Sequence, residues 1–135
     1  MILIDTSAWI EFFRARGEPA LKSRVADCLS IGQAAYTCPI RFELLLGARP
    51  SEVSDLLIGL DLARRLALTA SHWDAAATLG SRLRADGVTV PASDLLIATL
   101  AEKEGIPLLA RDRHFEIIRD SVLPKMKLVV SGDRL

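Results

Sequence analysis

The sequence predicts an α/β fold, a three-layer α/β/α sandwich with a mainly parallel sheet. Three observations carry this. Short continuous apolar runs recur, and each stops at turn-type or charged residues, which is how strands buried on both faces read. Segments with helical periodicity separate these runs, giving the alternation of strand and helix from which parallel sheets are built. At 135 residues, the chain has the length of one domain spanning 1–135 with a sizeable core.

The first strand is Met1-Ile2-Leu3-Ile4, which runs into Asp5-Thr6-Ser7. The helix that follows, through Phe13, takes Thr6 or Ser7 as its N-cap, with a cap from Asp5 as the plain structural reading of that acid. After a break at Arg14–Glu18, Pro19 opens a second helix whose Leu21, Val25, Cys28 and Leu29 form one apolar face. Ala34–Cys38 is a second strand, and Pro39–Arg49 a helix with Glu43 set among Phe42, Leu44, Leu45 and Leu46. Pro50 begins another helix to about Leu60, and Arg65–Leu68 is a third strand.

Ser71-His72-Trp73-Asp74 reads as a capping box, with Ser71 at the N-cap, for a helix that ends at Gly87. His72 is expected at the surface. Ser93 caps the next helix, whose Asp94–Ala101 stretch is apolar nearly all round and therefore central. Pro107–Ala110 is a fourth strand, Phe115–Arg119 a short helix, Lys127–Val130 a last strand, and Ser131–Leu135 a loose tail.

Lys plus Arg and Asp plus Glu both number 17, so no global basic field exists to wrap nucleic acid without regard to sequence. Aromatics make up only 5%, which argues against a base-stacking platform. Cys28 and Cys38 have no metal-ligand spacing and are expected to be two small buried thiols in a reducing cytosol. The chain opens directly on a strand rather than a signal peptide, and no apolar run reaches the ~20 residues of a membrane span. A soluble, cytoplasmic protein is the expectation.

Chemistry collects in the acids. Asp5 and Asp112 each lie just past a strand end, and Asp94 lies in a helix's first turn, where the helix dipole favours negative charge. In a parallel α/β sheet, ligands bind at the carboxyl ends of the strands, and helix N-termini gather there too. Glu43 can reach that edge from the early turns of its helix. Each acid alone has an ordinary structural explanation, as a cap or a solvated charge. Together they form an all-oxygen set suited to Mg²⁺ or Mn²⁺ and to phosphodiester hydrolysis.

Asp5-Thr6-Ser7-Ala8-Trp9, Glu43 with Gly47, Asp94–Ala98, and Leu108–Phe115 together resemble the PIN-domain family, most closely the VapC toxins of toxin–antitoxin pairs. The resemblance spans nearly the whole chain. It implies an Mg²⁺- or Mn²⁺-dependent endoribonuclease that hydrolyses RNA with a metal-activated water. The family's acidic quartet falls on Asp5, Glu43, Asp94 and Asp112, and its supporting hydroxyl on Thr6 or Ser7. The resemblance further implies a homodimer held in check by a VapB-type antitoxin whose tail docks near the acids. Arg41, Arg111 and Arg113 are candidate phosphate contacts. Trp9, Phe12 and Phe13 either line the docking groove or serve the core.

Two positions depart from the family pattern. Ala110 stands where many relatives have Thr or Ser, which removes a hydrogen bond that could orient a carboxylate. His114 stands where some carry a further acid, and it is read as an exposed loop histidine with substrate contact as the alternative. Rival readings are a PIN-like RNA-processing nuclease without a toxin role and a non-catalytic relative that binds RNA or protein. An acyl-phosphate receiver domain is more distant, because Lys125 and Lys127 come too late in the chain.

Overall fold

The computed structural model describes residues 1–129. Val130, the final residue of the expected last strand, and the expected tail 131–135 lie outside them. The elements run β1 (Ile2–Ile4), α1 (Thr6–Phe13), α2 (Pro19–Ser30), β2 (Ala34–Thr37), α3 (Cys38–Gly47), a 3-10 turn (Pro50–Glu52), α4 (Val53–Asp61), β3 (Arg64–Leu66), α5 (Ala70–Ala85), α6 (Ala92–Glu104), β4 (Leu108–Leu109), α7 (His114–Ser121) and β5 (Leu128–Val129).

The strands form one parallel sheet in the order β3-β2-β1-β4-β5. In register, Leu3 sits opposite Ala35 on one side and Leu108 on the other. Right-handed crossovers put α1 to α4 on one face and α5 to α7 on the other. Most helix contacts follow this division, with α1 against α2 and α3, and α6 against α5 and α7, while α3 and α6 also meet each other. The strand order reverses between β1 and β4, and such a switch point opens a crevice at the carboxyl edge of the sheet.

The core explains the sheet's apolar runs. Leu3, Ile4, Leu108 and Leu109 are essentially inaccessible, as is Trp9 on α1. Trp9 stacks on Phe13 at 5.9 Å between ring centroids, and Phe12 meets Phe13 edge-on at 5.1 Å. Trp9 thus belongs to the core, while Phe12 and Phe13 pack partly buried against it. Every residue of α6 from Asp94 to Ala101 is buried, as its unbroken apolar character requires. Gly17 lets the chain turn from α1 into α2, since a Cβ there would fall 1.8 Å from the Glu11 carbonyl oxygen.

The helix starts depart from expectation in three places. Asp5, not Thr6 or Ser7, is the N-cap of α1, and its carboxylate accepts the Ser7 N–H at 3.0 Å. A carboxylate is the stronger acceptor, so the acid takes the capping position from its hydroxyl neighbours. Thr69, not Ser71, caps α5, and His72 at the third helical position accepts the Thr69 N–H through Nδ1 at 2.9 Å. His72 Nε2 lies 3.1 Å from Glu104 Oε1, so this histidine is a buried link between α5 and α6 rather than a surface residue. Pro91 occupies the N-cap of α6 without a side-chain bond, and Ser93 lies inside the helix. Gly105 ends α6 at φ +65°, a left-handed conformation that glycine adopts without strain.

Cys28 is buried as expected, but Cys38 is exposed at the start of α3. Among the described residues no helix is long and apolar enough to cross a membrane.

Candidate active site and metal centre

Four elements deliver the four acids. Asp5 follows β1, Asp112 follows β4, Glu43 lies on the second turn of α3, and Asp94 is the third residue of α6. Asp5 and Asp94 are buried, whereas Asp112 and Glu43 are half-exposed at the rim. The electrostatics show that they share one place. Burial pushes the Asp5 carboxyl up, and the charge of Asp112 adds to this. Burial raises Glu43, with Asp5 and Asp112 contributing. Asp94 is pushed up to about 7, first by burial, then by Asp5 and also by Asp112. Like charges brought together out of water disfavour ionisation in this way.

The hydroxyls divide their work. Ser7 donates its Oγ–H to Asp5 Oδ2 at 2.6 Å and accepts the Arg111 N–H at 2.9 Å, which ties the chain after β4 to the acid after β1. Thr6 lies 3.4 Å from Glu43 Oε1, and Ser93 also hydrogen-bonds Glu43, so its side chain serves the site instead of capping a helix.

His114, the first residue of α7, turns its imidazole into the acids. Its Nδ1 lies 3.0 Å from Asp94 Oδ2 and 3.0 Å from Asp112 Oδ1, and its backbone N–H donates to the same Asp112 oxygen at 2.9 Å. One donor atom each from Asp94, Asp112 and His114 lies within 4.8 Å of the others. Two carboxylates and an imidazole, with the carboxyls of Asp5 and Glu43 beside them, fit a hard or borderline divalent cation.

The model of the PIN domain matches residues 2–120, which takes in all four acids. The chain belongs to the PIN-domain family. Its relatives within that family include a VapC ribonuclease of Mycobacterium bovis and ribonuclease VapC11 of Mycobacterium tuberculosis. Each is 37% identical over 122 residues, covering 87% of this chain and 91% of the relative. Solved structures share the fold. The VapBC2 complex of Rickettsia felis bound to a promoter DNA fragment superposes with a TM-score of 0.77 at 20% identity, over 96% of this chain and 98% of that one. The sarcin–ricin-loop-cleaving toxin VapC20 of Mycobacterium tuberculosis gives 0.65 at 20% identity, over 87% and 94%.

Around the acids of this PIN domain the arginines differ. Arg111 is bound to the buried carboxylate of Glu11, which also takes the Glu18 N–H at 2.9 Å and lies 3.4 Å from Arg14. That backbone bond, with Arg111 and Arg14 adding to it, holds the Glu11 carboxyl below the usual range. Arg113 is exposed at the N-cap of α7, and Arg41 is half-buried on α3. Neither has an ionic partner among the described residues. Sequence reasoning missed Glu11, whose only signal is an acid in an apolar helix, and Ser93, which looked like a cap.

A groove of about 600 Å³ runs from Glu43 between α1 and α4, with Ile10, Phe13, Leu44 and Leu56 among its walls and Arg14 and Arg49 at its rim. A cavity of about 310 Å³ between α5 and α6 is lined by Trp73, Leu83 and Leu95 and contains none of the four acids.

Proposed function

We propose that this chain is an endoribonuclease dependent on a divalent cation, Mg²⁺ or Mn²⁺, and that it acts as the toxin of a type II toxin–antitoxin pair. The observation that carries this reading is the meeting of Asp5, Glu43, Asp94 and Asp112 at the switch point, in a chain 37% identical to VapC ribonucleases. Asp5 and Asp112 act on the carboxyls of both Glu43 and Asp94, which acids scattered over a surface would not do.

Asp5, Glu43, Asp94 and Asp112 would hold the cation. When bound, it supplies Lewis acidity toward a phosphodiester and activates water. The chain's own residues do the positioning. Ser7 fixes the Asp5 carboxylate through two bonds to one oxygen, and Thr6 and Ser93 restrain Glu43. Arg113 and Arg41 are available to the phosphates of a bound RNA, and Arg111 is held by Glu11 at the mouth of the site. Glu43 opens on the groove between α1 and α4, whose walls combine apolar residues with charges of both signs, Arg14 and Arg49 beside Glu52 and Asp55, and it is the candidate seat for the tail of a VapB-type antitoxin. A homodimer in complex with such an antitoxin is the expected assembly. Incubating purified protein with total RNA and mapping the new ends tests the reading, with discrete metal-dependent cuts as the expected result.

A further inference from the structure

We propose that His114 is a nitrogen ligand of this metal centre, so that the site selects a first-row transition cation over Mg²⁺. The inference rests on the metal-dependent nuclease reading and makes it more specific. The imidazole occupies the place of a ligand. Its Nδ1 is 3.0 Å from Asp94 Oδ2 and 3.0 Å from Asp112 Oδ1. These are hydrogen-bond separations, and one donor atom of each of the three residues lies within 4.8 Å of the others, near enough for a single cation to be shared among them. The ring is also restrained. The His114 N–H is bonded to Asp112, and the residue begins α7, whose Phe115 is fully buried.

The donor chemistry then sets the preference. Oxygen-only sites suit Mg²⁺, whereas an imidazole nitrogen favours the borderline cations of the later first row. The acids supply only oxygen, so the nitrogen that makes the set a mixed one comes from His114 alone. The competing role is an imidazole that only hydrogen-bonds and orients Asp94 and Asp112. Its removal would weaken all divalent cations alike.

The test is calorimetric titration of the full chain with Mg²⁺ and with Co²⁺ at one pH, for wild type, His114→Asp and His114→Gln. Both variants replace the nitrogen with oxygen, and melting curves in chelator check that they fold. The expected result is that the preference for Co²⁺ over Mg²⁺ falls by on the order of tenfold in both variants. The visible bands of the Co²⁺-loaded protein should also move to longer wavelength, as a weaker ligand field requires. If both affinities fall equally and the bands stay in place, His114 is not a ligand, while the nuclease reading stands. Should wild type bind neither cation, or Asp94→Asn bind both as wild type does, both readings fail together.

Discussion

Ser7 clasps Asp5 twice, through its N–H at 3.0 Å and its hydroxyl at 2.6 Å, both on Oδ2. The same hydroxyl accepts the Arg111 N–H, so one small side chain fastens the ends of β1 and β4 across the switch point. Ser7→Ala keeps the cap bond from the backbone and loses the other two. The expected loss of stability is ~1 kcal/mol, the usual worth of such bonds. The expected loss of metal affinity is larger in effect, about 10–100-fold, because a ligand is no longer oriented. Melting curves and metal titrations on the variant measure both.

The site stores repulsion when metal is absent, and its sign is readable from pH. Asp5, Glu43 and Asp94 all have carboxyls raised above their unfolded values, Asp94 to about 7. In the window above the unfolded carboxylate range, the native state binds more protons than the unfolded state. Stability in chelator therefore falls as pH rises from ~4 through 7. Saturating divalent cation should offset the fall, since it binds the native state. Asp94→Asn should flatten the upper part of the curve, less the ~0.3–1 kcal/mol that its charge contributes at the start of α6. Wild type that gains stability between pH 5 and 8 in chelator would contradict this.

Glu11 works in the opposite sense. Its carboxyl is lowered, chiefly by the Glu18 N–H. Its contribution is complete above the unfolded glutamate value and is lost as pH falls through the lower folded value. Glu11→Ala should cost ~1–3 kcal/mol, because the N–H of Glu18 loses its acceptor and the turn at Gly17 loses its anchor. Arg111 would also be released. Urea unfolding of the variant at neutral pH measures the loss.

Much of this site could be read before any coordinates, and the reasons are local. Asp5 directly follows a short apolar run and Asp112 follows another by one residue, so the strands themselves place both acids. Asp94 is placed by the helix it begins. The helix caps were less legible, since Asp5, Thr6 and Ser7 all cap well and only the tertiary demand for Ser7 at Arg111 decides among them. Ser71 made a convincing capping box with Asp74, yet Thr69 and His72 form it, because His72 is anchored to Glu104 on a helix distant in sequence. His114 was hidden for a similar reason. Nothing in Arg113-His114-Phe115 reveals that the imidazole turns inward, because Asp94 lies twenty residues away. Cys38 is exposed although Thr37 and Ile40 beside it are fully buried, a difference of side-chain direction that local sequence does not encode.

In cells, the toxin reading has a simple consequence. Expression of the chain alone should arrest growth, and co-expression of a VapB-type partner should restore it. Asp94→Asn should be harmless while accumulating to the same level. Arrest by that variant equal to wild type would separate toxicity from the acidic site.

The central claim is that four acids from four elements form one metal-dependent nuclease site. RNA cleavage by the purified chain, in chelator and after addition of Mg²⁺ or Mn²⁺, tests it most directly when Asp5→Asn, Glu43→Gln, Asp94→Asn and Asp112→Asn are run alongside. The account predicts no cleavage in chelator, recovery with metal for wild type, and loss of ~100-fold or more in every variant, since residues acting as a unit fail together. Full cleavage in chelator, or four folded variants that all cleave as wild type does, would contradict it.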